Sequence, residues 1–223
     1  MSKNNQPSIK KNFILSTLYE ILCVITPFIT APYSSRVLGA SNIGIYSYTS
    51  SIEMYFSLIA VMGTAAYGKR EIARTRDDKA LNSKYFWEIE ILSMITSVVA
   101  LIGWGIFVLF TKNYKIYYLI LTVNIFSKMF DISWFYKGLE QFKYTVTRNT
   151  VVKIIGIVCL FVFVKTPDDL WIYFLFHVGI AFLGNLSMWV SLRKFLVPID
   201  IKTLKILPHF KETLIYFVPT IAT

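Results

Sequence analysis

Residues 170–192 read LWIYFLFHVGIAFLGNLSMWVSL, and this stretch decides the fold class. It contains no Lys, Arg, Asp or Glu. A helix needs about 20 predominantly apolar residues to cross the hydrocarbon core of a bilayer. The stretch therefore predicts a membrane-spanning helix and excludes a soluble enzyme.

The same apolar character recurs along the whole chain of 223 residues. Only 16% of the residues are charged and the mean hydropathy is +0.55, whereas about 25% of the residues of a soluble domain are charged. The apolar blocks cover residues 13–37, 43–67, 85–110, 116–136, 145–164 and 170–192, and a seventh begins at residue 213. Because backbone groups in lipid must be hydrogen-bonded within their own segment, each block predicts a helix. The predicted fold class is an all-α polytopic membrane helix bundle of six spans plus the start of a seventh.

Several classes of protein are excluded by what the sequence lacks. Cys23 and Cys159 both lie inside apolar blocks, which argues against a disulfide-stapled secreted domain, and 17% aromatic residues argue against a disordered chain. There is no Gly-rich phosphate loop with a Lys, and His177 has no second ligand at metal-binding spacing, so it is expected to be a packed residue. We therefore predict no enzyme activity, no cofactor and no metal.

Basic residues are concentrated in alternate connectors. Of the 23 Lys and Arg residues, 18 lie in the N-terminal segment and in the second, fourth and sixth connectors, whereas the other connectors carry four. The positive-inside rule then places the N-terminus and these connectors in the cytoplasm. This distribution explains the net charge of +10, so nucleic acid is not expected as a partner.

The domain organisation is predicted from the blocks and from a weak internal repeat. We expect a cytoplasmic N-terminus at 1–12, a six-helix lobe at 13–192, a cytoplasmic linker at 193–212 and the truncated start of a second lobe at 213–223. Pro27 in the first block aligns with Pro219 in the last, and an even number of spans separates them, as in a parallel repeat. The sequence is therefore expected to be the first lobe of a two-lobe protein, and residues 1–223 alone are not expected to transport.

Polar residues recur at helical spacing inside the apolar blocks. Ionisable groups are expensive in lipid, and where they share a helix face they favour a water-filled cavity. The ionisable and amide residues in such positions are Glu53, Asn124, Lys128, Asp131, Arg148 and Lys153. One alternative stays open, since Lys128 and Asp131 are three residues apart and could neutralise each other. Glu88 and Glu90 lie near the start of their block and are expected to snorkel to the interface.

Three segments carry a resemblance to a known family. They read PYSSRVLG at residues 32–39, YGKREIAR at 67–74 and FDISWFYKGLEQFK at 130–143. Together they resemble the Wzx-type bacterial polysaccharide flippases of the multidrug/oligosaccharidyl-lipid/polysaccharide (MOP) exporter superfamily, over about residues 12–223. Members of that family have two six-helix lobes, so the resemblance covers their N-terminal half.

The resemblance implies a function. An undecaprenyl-pyrophosphate-linked oligosaccharide would be moved across the bacterial inner membrane for O-antigen or capsule synthesis, by alternating access and without ATP. Partners would be this lipid, the bilayer and other polysaccharide-assembly proteins. A pyrophosphate needs cationic contacts, and hydrogen-bonding groups suit the sugars. The substrate-binding candidates are Arg36, Glu53, Asn124, Lys128, Asp131, Arg148 and Lys153.

Three other functions are weighed against the flippase. A MOP-type exporter of drugs or small solutes would have a more apolar, acid-lined pocket. A membrane enzyme of polysaccharide assembly would need a large external loop or a catalytic His with polar support, and the connectors at 111–115 and 165–169 are short. A purely structural subunit would carry no charges deep in its spans.

Overall fold

The computed structural model describes residues 9–222, and this part of the chain is helical without strands. Residues 1–8 of the predicted N-terminal segment 1–12, and residue 223, therefore lie outside the described residues. The helices are α1 (Ile9–Val61), α2 (Thr64–Arg74), α3 (Lys79–Phe110), α4 (Lys115–Lys128), α5 (Ser133–Gly138), α6 (Phe142–Phe163), α7 (Leu170–Leu192) and α8 (Leu207–Ala222). Short 3₁₀ turns occur at Pro167–Asp169 and Ile201–Thr203.

Helix α1 reverses its direction at Gly39, where φ is 78° and ψ is 163°. The Tyr33 hydroxyl donates to the Val164 carbonyl at 2.8 Å, and the Asn42 amide donates to the Pro167 carbonyl at 2.7 Å. Both sides of Gly39 thus lie beside the connector between α6 and α7. A residue with a Cβ rarely adopts this φ, which explains the glycine. Residues 9–38 and 40–61 correspond to the first two predicted blocks.

The remaining helices alternate in direction. Helices α6 and α7 are antiparallel, because Phe163 stacks on Phe176 at 4.9 Å at one end while Arg148 meets Met188 at the other. Helices α3 and α4 are antiparallel as well, since Trp104 packs against Tyr118 and donates to Thr122 at 2.9 Å. The result is an up-and-down helix bundle, which confirms the predicted fold class.

Four stretches are long and apolar enough to cross a membrane among the described residues: Ser16–Arg74, Lys79–Phe110, Phe142–Phe163 and Pro167–Leu192. The first has 59 residues and includes the reversal at Gly39. Helix α4 has 14 residues, or about 21 Å at 1.5 Å per residue, which is shorter than a hydrocarbon core of about 30 Å. The predicted count of six spans therefore stays a prediction.

The fourth predicted block, residues 116–136, is not one continuous helix. Helix α4 ends at Lys128, and α5 begins at Ser133. The Asp131 carboxylate accepts a hydrogen bond from the Ser133 backbone N–H at 3.0 Å, a local bond that competes with continued helix. Short polar side chains favour such breaks. Helix α8 begins at Leu207, inside the stretch predicted as linker.

The connectors rich in Lys and Arg meet at one end of the bundle, which we call the basic end. It comprises α2, α5, residues 193–206 and the start of α8. Gly68 on α2 lies so close to the indole of Trp134 that a Cβ would stand 2.5 Å from a ring carbon. Two of the segments that carry the family resemblance, 67–74 and 130–143, therefore pack directly against each other.

Candidate functional site

A cavity of about 460 Å³ opens between α1, α6 and α7, and we call it the polar cavity. Helix α6 contributes its cationic side chains, while α1 and α7 contribute hydroxyl groups and an imidazole. Its polar lining consists of Tyr19, Thr26, Thr30, Arg148, Asn149, Lys153, Tyr173 and His177. His177 packs edge-on against Tyr46, as a packed residue should, and it also lines this cavity. The other half of the lining is apolar, and among these walls the two cations suit an anionic ligand.

Arg148 is the best-defined cation of the polar cavity. Its Nη2 lies 3.5 Å from Asp131 Oδ1, and its Nε and Nη2 lie 3.3 and 3.2 Å from the Met188 sulfur. The side chain is 16% exposed, whereas that of Asp131 is 37% exposed. A guanidinium has five N–H donors and a thioether is a weak acceptor. Arg148 therefore keeps donor capacity for an anion.

The alternative that Lys128 and Asp131 neutralise each other is not what the structure shows. Asp131 instead faces Arg148 and caps the start of α5. The i,i+3 geometry that would join the two residues requires a continuous helix, and α4 ends at Lys128. Lys128 forms no ion pair with any residue that the structure describes.

Glu53 and Asn124 form a separate contact between α1 and α4. The Glu53 carboxylate is buried and accepts hydrogen bonds from Asn124 Nδ2 at 3.2 Å and from the Ser57 hydroxyl. Neither residue lines the polar cavity. Their hydrogen bonding is satisfied between helices, which is the usual role of such polar groups in a bundle.

Arg36 stands apart from the other predicted residues. It is exposed and lies three residues before Gly39, at the end of the bundle opposite the basic end. The structure thus brings Arg148 and Lys153 together at the polar cavity, and Asp131 contacts Arg148. The substrate-binding role of all seven residues stays a prediction.

The prediction that Glu88 and Glu90 snorkel to the interface is wrong. Their residues are 2% and 1% exposed, because both side chains turn into the bundle. The Glu88 carboxylate lies 2.8 Å from His209 Nε2 and accepts the Lys205 backbone N–H at 2.6 Å. The Tyr67 hydroxyl lies 2.7 Å from His209 Nδ1. We call these four residues the Glu88 cluster, and it joins α2, α3 and α8 at the basic end.

Sequence reasoning missed the Glu88 cluster because its members are far apart in the chain. His209 lies 121 residues after Glu88, in a stretch expected to be linker. The available signal was a pair of carboxylates at the start of an apolar block. Glu90 differs from Glu88, because the Trp134 indole N–H is near its carboxylate but, within the part of the chain that the structure describes, no well-formed hydrogen bond reaches either oxygen.

Metal binding was also examined from side-chain positions. Among the residues that the structure describes, no three His, Cys, Asp or Glu side chains gather as a metal site would require. No carboxylate among the described residues lines the polar cavity, and Asp131 contacts Arg148, which does line it.

Comparison with known proteins identifies the family. Residues 9–223 match the family described as "Polysaccharide biosynthesis protein". The chain belongs to this polysaccharide biosynthesis family. The membership confirms the resemblance to Wzx-type flippases that the three sequence segments indicated. Together with the long apolar helices, it makes this member of the polysaccharide biosynthesis family a multi-pass membrane protein.

Two relatives of this family member carry the name "Putative O-antigen transporter". The one from Shigella dysenteriae is 26% identical over 218 residues, which is 96% of this chain and 55% of the relative. The one from Escherichia coli (strain K12) is 23% identical over 169 residues, which is 74% of this chain and 41% of the relative. The chain spans about half the length of the curated relatives that it matches. No solved structure matches it significantly.

Proposed function

We propose that the full-length protein is a flippase that moves a lipid-linked oligosaccharide repeat unit across the bacterial inner membrane for surface polysaccharide synthesis. The observation that carries this proposal is the polar cavity, with Arg148 and Lys153 among hydroxyl groups, in a bundle of the polysaccharide biosynthesis family. The substrate class is a polyprenyl-pyrophosphate-linked oligosaccharide. The transport mechanism is alternating access, without ATP hydrolysis.

The chemistry of the cavity supports an anionic head group as ligand. Guanidinium and ammonium groups bind phosphate oxygens through charge-assisted hydrogen bonds, which are about twice as strong as neutral ones. The Asp131–Arg148 contact is long, at 3.5 Å, and the Asp131 side chain is 37% exposed, so the pair is weaker than a close bidentate one. A phosphate can therefore replace Asp131 at Arg148 at little cost, and Asp131 then favours release of the phosphate by the reverse exchange.

The orientation follows from the charge distribution. The basic end faces the cytoplasm in this proposal, and the N-terminus lies on the same side. Thr203 and Asn113 are both exposed and lie at opposite ends of the bundle. In a variant lacking Cys23 and Cys159, a Thr203→Cys protein should resist an impermeant thiol reagent in intact cells, and Asn113→Cys should react. Reaction of Thr203→Cys from outside would reverse the orientation.

The central experiment is complementation of a bacterial strain that lacks its own repeat-unit flippase. The full-length protein should restore surface polysaccharide, and Arg148→Gln or Lys153→Gln should restore about tenfold less or lower, because each removes a cationic contact. Arg193→Gln is the matched control, since Arg193 is exposed beyond the end of α7 and does not line the cavity. Failure of the wild-type protein to restore polysaccharide in strains with matched repeat units would refute the proposal.

A further inference from the structure

A second cavity, of about 550 Å³, lies between α6 and α7. We call it the apolar groove. Its walls are mainly aliphatic, and its polar residues gather at the end nearest the start of α6. The residues that line it are Lys143, Tyr144, Thr147, Arg148, Val151, Val152, Ile155, Ile180, Leu183, Gly184 and Ser187. Both cavities have volumes within the range of about 300–1,000 Å³ that is usual for small-molecule sites.

The apolar groove opens on the surface of the bundle. Val151, Ile155 and Leu183 are large apolar residues of the groove that are exposed. The groove follows α6 from Lys143 to Ile155, a rise of about 18 Å at 1.5 Å per residue. A straight apolar channel of this kind accommodates an extended hydrocarbon chain.

The two cavities meet at Arg148. Arg148, Val152 and Ile180 line both of them. The polar cavity continues along α6 to Val164, whereas the apolar groove extends from Lys143 at the basic end to Ile155. Arg148 thus stands between a compartment whose partly apolar walls carry hydroxyl groups and cations and a compartment lined mainly by aliphatic side chains. A molecule that fills both must be amphipathic, with its anionic group at the junction.

Charge complementarity identifies the group at the junction. Lys143 is exposed at the end of the groove, and Arg148 keeps donors that Asp131 and Met188 do not use. Basic residues between helices near the cytoplasmic surface are typical of sites for lipid phosphates. The two cations and the aliphatic channel together specify a phosphate that carries a long apolar chain.

We propose that the apolar groove seats the isoprenoid chain of the lipid-linked substrate while Lys143 and Arg148 hold its phosphate and the polar cavity receives its sugars. This inference rests on the proposed function, because its ligand is the tail of the proposed substrate. The tail is bound by the protein and does not simply remain in bulk lipid. Recognition of the isoprenoid phosphate is then independent of which sugars are attached.

The test is photolabelling of the full-length protein in membranes with a benzophenone-bearing polyprenyl phosphate. Label should map to peptides containing residues 143–155 and 180–187. Val151→Trp fills the groove and should lower labelling per protein about fivefold or more. Val158→Trp is the matched control, because Val151 and Val158 are 49% and 53% exposed on the same helix and Val158 lines neither cavity. Labelling of this control should equal that of the wild type.

Further arms keep the inference falsifiable. Leu183→Trp fills the same groove from α7 and should also lose labelling, so that a folding defect of one variant does not decide the result. Unlabelled polyprenyl phosphate should compete with the probe, and equal competition by phosphatidylglycerol would overturn the inference in favour of an ordinary phospholipid. If Val151→Trp or Leu183→Trp lost labelling but still transported, the groove would not be the binding site of the isoprenoid chain, and the flippase function would be unaffected. If the wild-type protein were labelled but did not transport, the flippase function would be refuted and binding of the isoprenoid chain in the groove would be supported.

Discussion

The Glu88 cluster and the Arg148 site both place charged side chains inside the bundle, but they differ in how fully those charges are partnered. The Glu88 carboxylate is 2% exposed and both of its oxygens are engaged by His209 and the Lys205 backbone. Arg148 faces a carboxylate that is 37% exposed, at 3.5 Å, and lines two cavities. The comparison separates a buried network that holds helices together from a site that can exchange its partner.

The physical reason lies in desolvation. A buried polar group that loses its partner costs the full desolvation penalty, whereas a partly exposed group recovers hydration. The Glu88 cluster joins α2, α3 and α8, so its loss should be felt as instability. The Arg148 site should instead reveal itself in transport. The following predictions test this division, beginning with the largest expected effect.

Removal of the Glu88 carboxylate should cost the most. In Glu88→Ala the buried His209 ring loses its carboxylate partner and the Lys205 backbone N–H loses its acceptor, so the free energy of unfolding should fall by about 3 kcal/mol or more. Thermal unfolding of the detergent-solubilised protein measures the change. Glu140→Ala is the control, because Glu140 pairs with Arg76 on the surface and should contribute less than about 1 kcal/mol. Equal losses of stability in Glu88→Ala and Glu140→Ala would show that the buried cluster contributes no more than a surface ion pair.

Loss of the Arg148 guanidinium should affect transport rather than stability. Arg148→Gln should shift stability by less than about 1 kcal/mol, because Asp131 is partly hydrated, and it should lower transport about tenfold or more. Growth at lower temperature should restore transport to Glu88→Ala, whose defect is abundance, but not to Arg148→Gln. If growth at lower temperature restored transport to both Glu88→Ala and Arg148→Gln, the role of Arg148 would be structural.

The Tyr67 hydroxyl should contribute a smaller amount. The His209 ring joins two groups, because its Nδ1 lies 2.7 Å from the Tyr67 hydroxyl and its Nε2 lies 2.8 Å from the Glu88 carboxylate. Tyr67→Phe keeps the ring and should lower stability by about 1–1.5 kcal/mol. In Tyr85→Phe the ring stays edge-on against His209 and no hydrogen bond within the described chain is lost, so no change is expected. If Tyr67→Phe left the stability unchanged, the Tyr67 hydroxyl would contribute nothing to the stability of the Glu88 cluster.

The smallest effect concerns Lys128 and Asp131. Because the two side chains do not pair, the effects of Lys128→Ala and Asp131→Ala on the free energy of unfolding should be additive within about 0.5 kcal/mol. A parallel cycle of Asp131→Ala with Arg148→Gln should show a coupling of up to about 1 kcal/mol. If Lys128→Ala lowered the abundance of the protein and the double variant Lys128→Ala/Asp131→Ala restored it, Lys128 and Asp131 would form an ion pair in the membrane.

Much of the candidate site could be proposed from local spacing, but its pairing could not. Arg148 and Lys153 were expected on an inward face, and both line the polar cavity. Asp131 was expected beside Lys128 on a continuous helix, and the break after Lys128 turned it toward Arg148. The apolar groove had no sequence signal, because its walls come from α6 and α7 and read simply as lipid-facing residues.

The sequence by itself determined that this protein is an all-α membrane bundle and which connectors are basic, because helix formation in lipid depends on local composition and each block satisfies its own backbone. It also supplied the three segments that indicated the family. Only the tertiary structure decided that Glu88 and Glu90 turn inward and that His209 completes a cluster with Glu88. A buried polar group takes its partner from whatever lies nearest in space, and that distance depends on how all the helices pack.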